Sequence, residues 1–377
     1  MMTFHDATGQ QIIHGIAEEL IQTAVKEKVS LGHVLDLTGT CQTITPIIPE
    51  QFERILTQTL KDAGVEIFLQ TLVTDVLMAG NSVQGVYVQT SASAGSAALS
   101  EAVLVKARKI IDATGDAVVI AKAGGEFVLG REKDHKTQPA SLIFKMDQVD
   151  LPKIWQEIKK NPQNFVLHPD FLNKPEKFTY LAVAGFFQEV KAAQQNGLLQ
   201  FRDRALFFEL PFQNAVSVNM TRVIDFDPLD EASVQTAYQK ALVQIEECVQ
   251  VLRTLPGFEQ AKLAGIAPKL GIRETRHIVG EYTLTEEDLL IAKQFPDAIA
   301  NGAFPIDLHS PDGANLKITK LNRHYQIPLR ALQPKGLKNI LAAGRCISAT
   351  HEAHASLRTI PTCMAMGEGL VKNLSRL

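Results

Sequence analysis

An α/β fold, with a main domain split in two by an inserted α+β lobe, follows from three observations. Short apolar strands near 110–112 and 337–343 each run into small residues and then a helix, the arrangement by which α/β proteins present a helix N-terminus to an anionic or electron-rich group. Between 65 and 107 the apolar period falls to two, which describes an antiparallel meander. From about Ser141 long helical patterns take over, and a buried-strand pattern returns only after Ile327-Pro328-Leu329-Arg330. The main domain is therefore expected at 1–140 with 335–377, and the inserted lobe at 141–334.

Taken in order, 10–28 carries Ile12, Ile13, Ile16, Leu20 and Ile21 at helical spacing, with Gly15 as an interruption. Residues 49–63 form a second helix: Pro49 suits its first turn, Phe52, Ile55, Leu56 and Leu60 line one face, and Gly64 stops it. Four strands are expected next, at 65–69, 71–78, 82–90 and 102–107, with turn chemistry at Gly80-Asn81 and a hairpin loop over the Ser/Ala/Gly-rich 91–100. A strand at 110–112 leads through Ala113-Thr114-Gly115-Asp116 into a helix over 117–123 that Gly124-Gly125 ends. In the lobe, helices are expected over Leu151–Lys160 and 230–254, and strands over 205–210 and 215–223. The strand at 337–343 then leads to a helix opening at Pro361.

Composition narrows the class. The 377 residues are enough for two lobes, and 45% hydrophobic with 21% charged residues is ordinary for a globular protein. A formal net charge of -3 leaves no electrostatic footprint for nucleic acid or anionic membrane. No apolar run is long enough to span a bilayer and no secretory leader opens the chain, so a cytoplasmic protein with reduced thiols is expected. Cys41, Cys248, Cys346 and Cys363 stand far apart, without a C-x-x-C pair, which argues against zinc and 4Fe-4S sites.

Four stretches, in this order and spacing, carry a resemblance: Leu72-Val73; Ile111-Asp112-Ala113-Thr114-Gly115-Asp116-Ala117; 271–276 (Gly-Ile-Arg-Glu-Thr-Arg) continuing through 280–288; and 342–369. Together they resemble the FAD-dependent oxidoreductases of the two-dinucleotide-domain type, allied to the flavoprotein subunit of heterodisulfide reductase. The resemblance implies an FAD/NAD(P)-binding Rossmann-like three-layer domain with an antiparallel meander and a substrate lobe. FAD is then the implied cofactor, a small organic molecule the substrate, and hydride exchange with flavin N5 in the cleft between lobes the reaction.

The resemblance also implies site residues. Ala113, Thr114 and Gly115 fall where the family approaches the adenosine half of FAD, and small residues are needed there because a larger side chain would hold the main chain off the ligand; Val73 and Asp116 are implied as cofactor-binding residues with them. A tight strand-to-helix connection without a ligand is the alternative for that turn taken alone. Gly344 and Arg345 fall beside the ribityl chain or pyrophosphate. Pro361 sets the first turn of a helix, leaving the amides of Thr362 and Cys363 free toward the flavin N1/O2 edge, where negative charge builds on reduction. Arg358 could add a full charge there, a solvated surface arginine being its alternative.

Catalytic candidates are His351, His354, Arg273 and Arg276. His351-Glu352-Ala353-His354 lacks the H-E-x-x-H spacing, and no metal site is predicted from it; one histidine suits proton transfer near neutral pH. Read as a strand, 273–276 places Glu274 and Arg276 on one face and Arg273 on the other. A buried Arg–Glu pair joining the lobes and a substrate-binding arginine both satisfy that pattern. Thr285 and Asp288 form a near capping box with no functional role.

None of the 24 glycines stands in a G-x-G-x-x-G turn, the element with which such a fold opens. The loss expected is about 30 residues or more, one βαβ unit. A truncated or mis-started product, or a separate chain supplying the missing unit, would explain it. The isolated chain is then expected to bind FAD poorly and to aggregate, and a catalytically silent remnant or assembly subunit is the alternative function. A non-flavin α/β enzyme stands behind both.

Overall fold

Apolar side chains gather into three main cores in the computed structural model, which describes residues 1–90, 100–313 and 316–374. The largest core lies within 140–270, joined by Leu37. Its sheet is antiparallel, with strands in the order Lys262–Ile266, Phe144–Asp147, Ala215–Val218, Ala205–Glu209, Ala182–Gly185. Phe144, Met146, Ala205 and Phe207 are buried while Lys145, Leu206 and Phe208 are only half-buried, the alternation expected of a pleated strand. Leu151–Lys160 and Glu231–Leu252 pack into the same core. The long helix does so through Ala237, Ala241, Ile245, Cys248 and Leu252, which recur every three or four residues on one face. Asp150 and Asp230 cap these two helices by accepting from Lys153 N and Ser233 N.

The second core is built on the parallel pair Ile110–Asp112 and Ile340–Ala342, in register Ile340 to Ile110 and Ala342 to Asp112. Around it lie the meander Thr71–Ala79, Ser82–Thr90 and Val103–Lys106, and the helices Val118–Lys122, His351–Leu357 and Ile360–Lys372. The antiparallel pairs Ala298–Gly302 with Tyr325–Pro328 and Ile306–His309 with Leu316–Thr319 also contribute side chains. Ile278, Leu284, Leu289 and Ile306, which fall inside the 141–334 expected of the inserted lobe, pack here rather than in the lobe core. Among the described residues the parallel part of the sheet is this one pair.

The third core joins Ile16–Lys26 to Pro49–Asp62, with Met364 and Ala365 of the last helix packed against it. Three local expectations need correction. Gly15 does not interrupt a helix at 10–28 but precedes its start: its φ is 61°, and Ile16 N donates to Glu368 Oε2 at 2.8 Å. Residues 65–69 form no strand, since the chain leaves the helix by donating Val65 N back to Leu60 O, and Phe68 and Leu69 stay exposed with no ladder partner. The meander therefore has three strands. His351-Glu352-Ala353-His354, which the resemblance implies to be a loop, opens a helix over His351–Leu357 that Thr350 caps through Ala353 N. Of the hairpin loop expected at 91–100, residues 91–99 lie outside the described residues.

Candidate functional site

The turn after Ile110–Asp112 is closed by its own side chains. Asp112 Oδ2 accepts from Val119 N at 2.8 Å and Ile120 N at 3.0 Å, and its Oδ1 accepts from Thr114 N and Oγ1. The buried carboxylate thus satisfies the first amides of the helix Val118–Lys122, which a bound anion would otherwise meet. Thr114 Oγ1 accepts from Asp116 N and Val118 N. Asp116 in turn binds Arg345 Nη2 at 2.5 Å and Thr275 Oγ1 at 2.8 Å through Oδ1, and Arg276 Nη1 through its carbonyl. Gly115, with φ 78°, has the Arg345 guanidinium carbon 2.8 Å from where a Cβ would stand, so any side chain there would displace the arginine that joins the two turns. Ala113 and Thr114 are exposed on the outer side. Val73 faces Val88 in the meander and packs on the second core.

The C-terminal element is more open. Gly344 has φ 85°, and a Cβ there would meet only Cys363 Sγ, at 3.9 Å. The helix begins at Ile360, with Thr359 in the cap position and Pro361 second. This corrects the expectation for Cys363, whose amide donates to Thr359 O at 2.9 Å and is not free. Helix bonding starts with that amide, so Thr362 is the residue whose N–H precedes it unspent; its hydroxyl shares a hydrogen bond with Thr359 Oγ1 at 3.0 Å. Burial pushes the Cys363 thiol up to about 11, so it is not a thiolate at neutral pH.

Arg358 is not a solvated surface residue. Its side chain is 16% exposed, its Nη2 lies 3.6 Å from Asp307 Oδ2, and its Nε is buried with no partner. Arg273 Nη1 donates to Pro139 O at 2.5 Å, and Arg222 donates to Gly313 O and Ser310 O. Burial lowers Arg273 to about 9, with repulsion from Arg358 adding to it, lowers Arg222 to about 10, with repulsion from Arg202 adding to it, and lowers Arg358 as well. Asp307 is the carboxylate they surround. Burial raises its pKa, but the hydrogen bond from His309 and the nearby Arg358 and Arg273 bring it down to about 2.

Glu274 organises the remaining candidates. It is fully buried; Oε1 accepts from His277 Nε2 at 3.0 Å and His351 Nδ1 at 2.8 Å, and Oε2 accepts from Gln138 N at 2.9 Å. Burial opposes its ionisation, and the two histidine hydrogen bonds outweigh that, holding the carboxyl far below the usual range. The expected Arg–Glu pair is thus replaced by histidines. The physical reason is local: the strand begins only at Arg276, so 272–275 does not alternate, and Arg276 turns instead to Asp116 and the face of Phe127. His354 is also fully buried, edge-on to His277 with ring centroids 4.3 Å apart, and neither of its ring nitrogens has a partner. Burial keeps it neutral.

His351 borders a cleft of about 440 Å³ whose lining includes Arg131, Lys133, Ser310, Lys317 and Glu352. With Nδ1 committed to Glu274, Nε2 is the nitrogen left for exchange with that cleft. Structure therefore brings His351, His354 and Arg273 toward one buried polar region, with Arg358 beside it, and places Arg276 and Arg345 on the Asp116 turn. Sequence reasoning missed His277, Asp307 and His309. The i, i+3 spacing of Glu274 and His277 was the available signal for the first.

Residues 1–370 match the family model described as FAD dependent oxidoreductase. No curated protein matches the chain. Solved structures similar to it include L-proline dehydrogenase from P. horikoshii, at 11% identity over 89% of this chain and 57% of that one, with a TM-score of 0.36. A myxobacterial chondrochloren halogenase shares 13% identity over 97% and 64%, at 0.40. A geranylgeranyl bacteriochlorophyll reductase-like protein from Thermoplasma acidophilum shares 10% over 99% and 68%, at 0.37. The chain thus spans less than two thirds of the dehydrogenase and of the halogenase, and likenesses this distant carry no conclusion about substrate. Among the described residues no helix is long and apolar enough to cross a membrane.

Proposed function

This chain belongs to the FAD-dependent oxidoreductase family, and we propose that it exchanges hydride between flavin N5 and a small organic substrate carrying an anionic group, with His351 handling the proton. FAD supplies the two-electron chemistry. The C-terminal element fits the cofactor: Gly344 leaves room for close backbone approach, Thr362 offers an unspent amide, and Arg358 has an orphaned Nε. The 113–116 turn can offer only its outer backbone, because Asp112 already caps the helix behind it.

The observation that carries the reading is the hydrogen bond from His351 to the buried Glu274 carboxylate, at the edge of the cleft. A carboxylate on Nδ1 fixes the tautomer and ring orientation, leaving Nε2 to accept or deliver a proton. Arg273 and Arg358 supply positive charge beyond what Asp307 neutralises, which suits a carboxylate-bearing substrate or the charge that builds on the flavin when it is reduced.

The test starts from a visible spectrum of the purified chain before and after addition of FAD, with gel filtration between. Retained flavin is the outcome this reading requires, against the weak binding expected from the absent glycine-rich turn. Bleaching by a panel of small carboxylates and their neutral esters then follows, with a pH–rate profile for wild type and His351→Gln. Absence of retained flavin overturns cofactor binding by this chain. An unchanged pH profile in His351→Gln overturns the proton role, and equal rates with acids and esters overturn the anionic substrate.

A further inference from the structure

Three buried side chains from two segments meet without forming a closed hydrogen-bond set. Glu274, His277 and His354 each offer a donor atom, and these atoms lie within 4.8 Å of one another. His354 is 0% exposed, yet Nδ1 and Nε2 both lack partners, and His277 Nδ1 is likewise buried and unpartnered. A buried polar atom left unpaired costs about 1–3 kcal/mol, and His354 presents such a nitrogen to a point that Glu274 and His277 also reach, which calls for an occupant. We infer that Glu274, His277 and His354 form a site for one divalent first-row transition-metal cation, of which Zn²⁺ is the representative.

The donor chemistry selects that class. Two neutral imidazoles with one carboxylate suit borderline cations, whereas Ca²⁺ and Mg²⁺ take oxygen donors. Bonds of about 2.1 Å place donors about 3–3.5 Å apart. Glu274 Oε1 and His277 Nε2 are already 3.0 Å apart, so loading shifts the His277 proton from Nε2 to Nδ1, replaces that hydrogen bond by the ion, and draws in His354 from within 4.8 Å. His351, donating to Glu274 Oε1, is the outer-shell partner that holds the carboxylate in place. Arg358 is the nearby opposing charge, and it is turned to Asp307 Oδ2. The ion ties the 274–277 segment to the helix His351–Leu357.

The two histidines of 351–354 do not share this site, which takes His354 alone from that stretch. The second histidine comes from a segment more than 70 residues away in sequence by the separation of Glu274 and His351, which is 77.

The experiment uses the full chain, stripped with a chelator, then loaded with Co²⁺ and read by its visible d–d band, with Zn²⁺ as competitor. One Co²⁺ per chain is expected, displaced by Zn²⁺, with affinity weakened more than about 100-fold in His354→Asn and about 10–100-fold in His351→Gln. X-ray absorption of the Zn²⁺-loaded wild type, which needs no variant to fold, is expected to count two imidazoles. No bound Co²⁺, a thiolate charge-transfer band, an all-oxygen shell, or unchanged affinity in a folded His354→Asn overturns the site and leaves trapped water as the occupant. None of these readouts involves flavin, so failure here is separable from failure of the proposed reaction.

Discussion

Replacing Glu274 by Gln changes no volume and removes one charge and one acceptor. The amide oxygen can stand at Oε1, where it keeps His277 and His351, but the amide nitrogen then faces the N–H of Gln138. Reversed, the nitrogen faces two imidazole donors. Either way at least one charge-assisted bond, worth about 1.5–3 kcal/mol, is lost and a buried N–H is left unpaired at about 1–3 kcal/mol. A loss of about 3–5 kcal/mol follows, in line with breaking other buried charged contacts. For 377 residues the unfolding entropy is about 0.8 kcal/mol/K, so thermal melts at pH 7 should show Tm lower by about 4–6 °C. The carboxyl is depressed in the folded state, so its contribution is complete above the unfolded value of about 4.3 and fades as pH falls toward the folded one. The gap between wild type and Glu274→Gln should therefore hold from pH 8 to 5 and narrow below about pH 4. A Tm change under about 1 °C at pH 7, or a gap that widens in acid, would refute the reasoning.

Three further perturbations test other parts of the structure. Asp112→Ala removes the acceptor of four hydrogen bonds at the 113–120 turn and should cost about 2 kcal/mol or more in urea unfolding. Gly369→Ala puts a Cβ 2.0 Å from Ile299 O, and the shift this forces between the last helix and its neighbouring strand should cost about 1–3 kcal/mol by the same assay. Burial, reinforced by Arg273, lowers His309 to about 3; the unfolded chain takes up this proton below about pH 6.5, so wild type should lose up to about 1.4 kcal/mol per pH unit between about 6.5 and 3, and His309→Gln should flatten that slope in melts across the range.

Elements with a sustained period were legible in the sequence. Leu151–Lys160 begins and ends as expected, and Pro49–Asp62, Glu231–Leu252 and the meander strands differ from expectation by a residue or two at their ends, apart from the strand Ala215–Val218, which stops five residues short of 223. The near capping box at Thr285 is a complete one, with both reciprocal bonds formed. Residues 65–69 mark the limit of a local period: an apolar run has strand propensity, but a strand exists only when another backbone takes its hydrogen bonds. Gly15 fails for the opposite reason. Its role depends on Glu368, 352 positions from the Ile16 amide that it receives, and no local window contains that partner.

The family, and with it FAD, was readable from four short stretches because each needs small or charged residues at fixed spacing, which survives in one dimension. The wiring of the site was not. Glu274 was visible as a charged residue, but its partners are set by where 272–275 leaves strand geometry and by how His351–Leu357 packs against it. Likewise the composition held enough arginine for an anion site, yet only burial around Asp307 lowers Arg273 and Arg358 below the ordinary range of a surface guanidinium. Sequence alone determined which chemistries were available and which segments carried a helical or strand period, since those depend on neighbours along the chain. Tertiary structure decided protonation and pairing, because desolvation and hydrogen bonds across the fold act over a few ångströms whatever the separation in sequence.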